Sequence, residues 1–220
     1  MNLNIKITKN ILEIAQYVSN LINDQLNLGK NVLFFISGGS AIPLEVEISK
    51  RIKKINQGNL VVTLVDERYG LINHLDSNWF NLKEGGFKIK NTKFIPMITG
   101  NDFSTTTKDV QRMLKEEISK ADYKIGIFGI GIDGHTAGIL PKTEAVNSNE
   151  FAFAYETEKY DRITITPKTI LMLDEAIVYA MGDIKWPLIE NLKNEISIEE
   201  MPAQILKKVR LLTIFTDYKL

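Results

Sequence analysis

Three short segments of this chain are apolar on both faces, and this pattern limits the folds that the chain can adopt. They read VLFFI at 32–36, LVVTLV at 60–65 and YKIGIFGIG at 123–131. A strand with one face in water normally alternates apolar and polar residues, whereas a strand of a parallel sheet is buried on both faces and reads as a continuous apolar run. The three segments therefore predict an α/β protein with a mostly parallel sheet.

Segments with helical spacing separate these strands. Apolar residues recur every three to four positions from Ile11 to Ile22, where Asn10 can cap the helix and Gly29 can end it. A second helix is expected from about Pro43 to Ile55, and a third over 110–121. The strands on either side of the second helix then form a βαβ unit, in which consecutive parallel strands are joined by a helix.

The second half of the chain continues the alternation of strands and helices. A helix passes through Leu188 and Leu192, and strands are expected at RITIT (162–166), AIVYAM (176–181) and 211–215. No low-complexity linker or internal repeat divides residues 1–220. We therefore expect a single doubly wound domain, with insertions or a lid within 73–93 and 142–161.

Composition excludes several classes of function. The 27 basic and 27 acidic residues give no field of one sign that would recruit nucleic acid or an anionic membrane surface. No apolar run approaches the roughly 20 residues of a membrane helix, and the start of the chain lacks the apolar core of a signal peptide. The absence of cysteine removes disulfides and thiolate metal sites and fits a reducing compartment, so a cytoplasmic location is expected.

Two charged or glycine-rich loops follow buried strands, at the sheet edge where parallel α/β proteins bind ligands. In the first, Gly38 and Gly39 allow close backbone approach, and the Ser40 hydroxyl with nearby helix amides can hold a phosphate. An ordinary βα turn is the alternative. In the second, Asp66 and Glu67 precede Arg68, a pattern that suits either a surface ion pair with a helix cap or an arginine that clamps an oxyanion.

The third loop is GIGIDGHTA at 129–137. It contains a G-x-G-x-x-G match, so a dinucleotide-dependent oxidoreductase must be considered. That fingerprint opens directly into a helix, however, and here Asp133 and His135 occupy the loop, with Pro141 soon after. The glycines more plausibly form a tight turn that presents these two side chains.

His135 is the better placed of the two histidines. Imidazole exchanges protons near neutral pH, which suits a general base at a sheet edge. A metal site is the competing role, but no second histidine lies within a helical turn of His135 and no zinc-protease pattern is present. His74 falls in a polar stretch and is expected to be a solvated loop residue.

Taken in order, several motifs resemble those of the 6-phosphogluconolactonase family. They are SGGS at 37–40, DER at 66–68, SN at 77–78, GIGIDGHTA at 129–137, RITIT at 162–166, the glycine and lysine of G-x-x-K at 182–185, and MPA at 201–203. They span almost the whole chain. The resemblance implies a Rossmann-like three-layer α/β/α fold, shared with glucosamine-6-phosphate deaminases, and hydrolysis of 6-phospho-D-glucono-1,5-lactone to 6-phosphogluconate in the oxidative pentose phosphate pathway.

The resemblance also assigns roles to residues. His135 corresponds to the general base that activates water, with Asp133 setting its environment. The glycine loop, Arg68 and Lys185 correspond to the phosphate site. Asp66 and Asn78 would make further substrate contacts, whereas Arg162 and Thr164 are expected only to brace the sheet edge. No metal or organic cofactor is implied, the partner is a sugar phosphate lactone, and a monomer or small homo-oligomer is expected.

Two alternatives remain within this frame. In the deaminase branch the Asp-Gly-His loop continues to a catalytic glutamate just before a proline, and here Leu140 precedes Pro141, which favours the lactonase. A non-catalytic sugar-phosphate-binding regulator would carry an attached module. With a first strand expected from about Asn4 there is no room for one, and the intact Asp133 and His135 indicate turnover.

Overall fold

Ten strands form two sheets within the part of the chain that the structure describes. The computed structural model describes residues 2–53 and 57–219. In chain order the strands are β1 (Asn2–Ile7), β2 (Val32–Ile36), β3 (Leu60–Leu64), β4 (Asp66–Arg68), β5 (Lys93–Ile95), β6 (Tyr123–Phe128), β7 (Ala152–Tyr155), β8 (Arg162–Ile165), β9 (Glu175–Ala180) and β10 (Leu211–Thr216). Seven of them form one sheet in the order β1-β10-β9-β6-β2-β3-β5, and every neighbouring pair is parallel. The parallel α/β prediction is confirmed.

The α-helices lie between these strands. They are α1 (Ile11–Asn27), α2 (Ile42–Arg51), α3 (Asn78–Glu84), α4 (Phe103–Lys120), α5 (Pro167–Leu171) and α6 (Trp186–Lys193). Short 3-10 turns over Gly39–Ala41 and Asp183–Lys185 lead directly into α2 and α6.

The predicted ends of α1 are confirmed, whereas α2 ends earlier than predicted. The Asn10 side chain accepts from the amides of Leu12 and Glu13, and Gly29 follows the helix with a φ of 75°. For α2, the Asn23 side chain donates to the Arg51 carbonyl at 3.0 Å and accepts from the Lys53 amide, which satisfies the helix end. The predicted last residue, Ile55, lies outside the described residues.

The order of strands reverses direction next to β2. From β2 the chain passes through α2 to β3 on one side, and later places β6 on the other side. Because such crossovers are right-handed, α1 and α2 lie on one face of the sheet and α4 and α6 on the other. This gives the three layers and a switch point between β2 and β6, where ligands bind in folds of this kind.

The predicted strand at 162–166 lies outside the main sheet. As β8 it pairs antiparallel with β4 and with β7, in the order β4-β8-β7. RITIT alternates polar and apolar residues instead of forming a continuous apolar run, which is the pattern of an antiparallel strand, although in the structure only Arg162 of β8 is partly exposed. The segment from Asp66 to Arg68 was predicted to lie in a loop, but it forms strand β4. Val65 alone separates β4 from β3.

Aromatic and aliphatic side chains of the central strands fill the core. Phe34 and Phe35 of β2, Phe128 of β6 and Phe215 of β10 are all buried. Within the described residues, no helix has both the length and the hydrophobicity required to pass through a bilayer.

Candidate active site

A cavity of about 290 Å³ lies at the carboxyl ends of β2, β3 and β6, beside the switch point. Its walls carry all but one of the predicted site residues, namely Gly38, Gly39, Ser40, Asp66, Arg68, Asn78, His135 and Lys185. The exception, Asp133, contacts His135. The fold therefore brings together residues that lie up to 147 positions apart in the sequence.

The loop after β2 is held from behind by a buried carboxylate. Glu45 of α2 accepts from the Ser37 amide at 2.6 Å, the Ser37 hydroxyl at 3.1 Å and the Gly38 amide at 3.0 Å. Gly38 has a φ of 78°, and a Cβ placed there would lie 3.1 Å from the Asn78 side chain. Burial raises the pKa of Glu45 to about 7, against the three hydrogen bonds that favour its ionised form.

The loop after β6 presents the two residues predicted for proton transfer. His135 Nδ1 lies 2.5 Å from Asp133 Oδ1, and the His135 amide donates to the same oxygen at 3.1 Å. A Cβ at Gly131 would lie 2.1 Å from the imidazole ring, so the ring can occupy this position only because residue 131 is glycine. No helix opens here, since Thr136 pairs with Ile139 in an isolated bridge. The structure thus lacks the helix start that a dinucleotide fingerprint requires.

Burial and neighbouring groups shift the pKa values of Asp133 and Lys185. Partial burial disfavours the charged form of Asp133, but the amide and ring of His135 outweigh that effect and lower the Asp133 pKa. Across the loop, the Lys185 ammonium contacts the Ile130 carbonyl. Burial lowers the Lys185 pKa, while the nearby charge of Asp133 opposes the change. The Lys185 ammonium is thus placed beside the catalytic pair predicted from the sequence.

The second sheet places two arginines on the opposite wall. Arg68 of β4 and Arg162 of β8 are direct partners in the antiparallel pairing, and both line the cavity. Arg162 Nη1 lies 3.2 Å from Asp66 Oδ2, and Arg68 Nη1 donates to the Asp76 carbonyl at 2.9 Å. Each Nε is buried, and neither has an acceptor among the described residues. Like charges directly opposite each other destabilise a sheet, so this pair suits a negatively charged ligand.

Two further buried carboxylates stand behind these cations. Burial raises the pKa of Asp66, although Arg162, His135 and Arg68 oppose the shift. Burial also raises the pKa of Glu67. Glu67 accepts from the amides of Asn78 and Trp79 at 2.6 and 3.0 Å, so it caps the start of α3. The helix-cap interpretation of the acidic pair therefore holds for Glu67, while Asp66 lines the cavity.

Three residues near the site were assigned differently, or not at all, from the sequence. Arg162 was expected only to brace the sheet, and no local signal places it opposite Arg68, because that register depends on long-range pairing. Glu45 carried one signal, an acidic residue among the mostly apolar buried residues of α2. His74 is half-buried rather than solvated, with Nε2 2.9 Å from the Arg68 carbonyl. Thr164 is buried and donates to the Ala137 carbonyl, as a bracing residue does.

The sheet order and the cation-lined cavity define a doubly wound α/β protein with its site at the switch point. The family model of glucosamine-6-phosphate isomerases/6-phosphogluconolactonase matches residues 8–214, and the chain belongs to this family. A 6-phosphogluconolactonase of Borreliella burgdorferi is 28% identical over 167 residues, which cover 71% of each chain.

Solved structures of both branches of the family share this fold. A 6-phosphogluconolactonase from Shewanella baltica aligns with a TM-score of 0.81 at 20% identity, covering 98% of this chain and 97% of that one. A monomeric glucosamine-6-phosphate deaminase aligns with a TM-score of 0.76 at 17% identity, covering 98% and 97%. The fold alone therefore does not separate the two activities, and the site residues must do so.

Proposed function

We propose that this protein hydrolyses 6-phospho-D-glucono-1,5-lactone to 6-phosphogluconate, a step of the oxidative pentose phosphate pathway. The observation that carries the proposal is the Asp133–His135 pair at one wall of a cavity whose other walls hold Arg68, Arg162 and Lys185. Family membership and the similarity to the Borreliella lactonase support it. In this proposal, residues 1–220 act as one lactonase-like domain.

His135 is the general base of the proposed reaction. With Nδ1 donating its proton to Asp133, the other ring nitrogen, Nε2, is free to take a proton from water. The water oxygen forms a bond to the lactone carbonyl carbon, and the negative charge passes to the carbonyl oxygen. When that intermediate collapses, the bond between the carbon and the ring oxygen breaks. The imidazolium then returns its proton to the departing alkoxide.

The phosphate occupies the cationic part of the cavity. Arg68 and Arg162 offer planar guanidinium groups with buried Nε donors, and Lys185 adds a point charge. The amides of Gly39 and Ser40 begin a helical turn and so have no intrahelical acceptor. Backbone amides at the start of a helix commonly bind phosphate in α/β proteins.

Fewer amides of the loop after β6 are available as oxyanion donors than its sequence suggests. The amides of Gly131, Gly134 and His135 already donate to the His135 carbonyl, the Gly131 carbonyl and the Asp133 carboxylate, respectively. They are therefore not available to a developing charge. The negative charge on the carbonyl oxygen must therefore be stabilised by other donors of the cavity wall.

The deaminase activity is less well supported. The deaminase pattern needs a carboxylate at the position of Leu140, whose amide contacts the Tyr155 hydroxyl at 3.4 Å. A regulatory role that binds sugar phosphate without turnover would leave the Asp133–His135 pair unexplained. The lactonase mechanism requires no metal or organic cofactor. A monomer or small homo-oligomer and, from the absence of cysteine, a cytoplasmic location are part of the proposal.

Two assays on the purified protein test the proposal. One follows opening of 6-phosphogluconolactone, corrected for the spontaneous reaction, and the other follows release of ammonia from glucosamine 6-phosphate. We expect catalysed lactone opening and no ammonia. Release of ammonia without lactone opening would move the protein to the deaminase branch. Tight binding of 6-phosphogluconate with neither activity would make it a regulator.

A further inference from the structure

Glu45 is a buried carboxylate that no part of the proposed reaction uses. It is completely buried, and none of the described cations forms an ion pair with it. Its hydrogen bonds run to the amides of Ser37 and Gly38 and to the Ser37 hydroxyl. Those donors precede the 3-10 turn at Gly39–Ala41, so Glu45 does not cap α2, the helix that contains it.

Satisfying two loop amides with a buried carboxylate costs more free energy than satisfying them with a neutral acceptor. Removing a carboxylate from water opposes folding, and backbone carbonyls or water satisfy the amides of most loops. The ionised form also faces repulsion from Asp66. The same amides could be satisfied without burying an ionisable group, so a role in stability alone gives a weak account of this residue.

The geometry connects Glu45 to the cavity through the loop. Gly38 is held between Glu45 behind it and the Asn78 side chain beside it, with a φ of 78°. The amides of residues 37 and 38 are turned toward Glu45, and the two residues that follow, Gly39 and Ser40, line the cavity. The bonds that Glu45 makes therefore restrain the backbone immediately before the Gly39 and Ser40 amides.

We propose that Glu45 is a positioning residue that holds the loop at 37–40 in the conformation that binds the substrate phosphate. The inference rests on the proposed function, because it takes phosphate to be the group that the loop binds. Glu45 itself does not touch the substrate. Its negative charge repels phosphate, and its hydrogen bonds favour phosphate binding, so the two effects have opposite signs.

This opposition makes Glu45→Gln a decisive variant. The glutamine keeps the size of the side chain but turns an NH₂ group toward one of the two loop amides, so one of the bonds is lost. We expect KM for 6-phosphogluconolactone, and the dissociation constant of inorganic phosphate, each to rise about tenfold, the order for one hydrogen bond to a charged group. The value of kcat should stay within about threefold. If Glu45 acts only through its charge, both constants fall instead.

Glu175→Gln is the matched control. Glu175 is also buried and also has a raised pKa from burial. It lies at the amino-terminal end of β9, away from the carboxyl ends that form the cavity, and accepts from the Tyr123 hydroxyl at 2.9 Å. We expect its KM and phosphate affinity to equal those of the wild type. An equal loss of phosphate affinity in both variants would overturn the proposal, because it would show a general effect of removing a buried carboxylate.

Two further measurements keep the proposal testable if Glu45→Gln does not fold. Glu45→Asp keeps the charge but shortens the side chain by one methylene, and we expect its phosphate affinity to fall between those of the wild type and the glutamine variant. In wild-type protein, phosphate added during an NMR titration should shift the amide signals of Gly39 and Ser40 and leave those of Ser37 and Gly38 in place. The reverse pattern would overturn the proposal.

Phosphate binding also separates this inference from the proposed function. If the wild type opens no lactone but binds inorganic phosphate in a manner that depends on Glu45, the lactonase proposal fails and the positioning role stands. If lactone is hydrolysed and the Glu45 variants keep wild-type KM and phosphate affinity, the lactonase proposal stands and the positioning role fails.

Discussion

The carboxylates around the cavity differ in exposure, because Asp133 lies at the protein surface and the other three are buried. The Asp133 side chain is 47% exposed and contacts His135 in the loop after β6. As whole residues, Glu45, Asp66 and Glu67 are at most 8% exposed; Glu45 and Glu67 stand behind the cavity, and Asp66 lines it. The pKa of Asp133 is lowered by its contacts with His135, whereas burial raises the pKa of each of the other three. The comparison separates a carboxylate that orients a reacting group from carboxylates that hold the walls in place.

The largest effect is expected in the exposed region. His135→Ala should lower kcat by roughly 10²- to 10⁴-fold, the usual contribution of a general base. Binding of 6-phosphogluconate, measured by calorimetry, should survive. His74→Ala is the control, because His74 contacts the Arg68 carbonyl and does not line the cavity. Wild-type turnover in His135→Ala together with loss in His74→Ala would show that the wrong histidine has been chosen.

Loss of a single cation should act mainly on binding. We expect Lys185→Ala and Arg162→Ala to raise KM by about 10- to 150-fold, which corresponds to about 1.5–3 kcal/mol for a charge-assisted contact. Arg68→Ala should also lower kcat, because a guanidinium fork can fix the orientation of the substrate. Steady-state kinetics separates the two cases. A fall in kcat alone, with KM unchanged, would remove these residues from the phosphate site.

A matched pair of substitutions compares the two groups of carboxylates directly. Glu67→Gln should lower the free energy of unfolding by about 1–3 kcal/mol, because it disturbs the cap of α3. Asp133→Asn should leave that free energy within about 0.5 kcal/mol, since exposed sites contribute little, and should lower kcat instead. Urea denaturation and kinetics on both variants measure the contrast. Equal loss of stability in the two variants would remove the distinction drawn here.

The pH dependence of stability tests the buried group further. The folded-state pKa of Glu45 is about 7, above its ordinary value of 4.5. The folded protein therefore binds the proton of the Glu45 carboxyl group more tightly than the unfolded chain does. The stability that this protonation adds is fully present below about pH 4.5 and is lost as the pH rises to about 7. This loss should reach about 3 kcal/mol at most and should be absent in Glu45→Gln. Urea denaturation between about pH 4.5 and 7 should therefore show that the free energy of unfolding of the wild type falls relative to that of Glu45→Gln as the pH rises.

The smallest effect is expected from metal removal. Because the mechanism uses an imidazole base and cationic side chains, treatment with a chelator should leave kcat and KM unchanged. Activity lost to the chelator and restored by a divalent cation would contradict the metal-free mechanism.

The two regions also differ in how far the sequence alone could predict them. The catalytic loop is local, so Asp133 and His135 were identified from nine consecutive residues and one buried strand. The wall behind the cavity depends on contacts between distant segments. Arg162 reaches Arg68 through an antiparallel pairing 94 residues apart, and Glu45 faces a loop across a helical turn. Periodicity predicts elements, but it does not predict the register of a second sheet or the partner of a buried charge.

The central claim is that the cationic walls and the His135 loop act on one substrate. The most direct test compares kcat/KM of the wild type for phosphorylated and unphosphorylated gluconolactone, after correction for spontaneous opening. Since at least two charge-assisted contacts to phosphate are proposed, the phosphorylated lactone should be preferred by about 100-fold or more. In Lys185→Ala the preference should shrink by about tenfold or more, as one contact is lost. Equal efficiency with the two lactones in the wild type would contradict the claim.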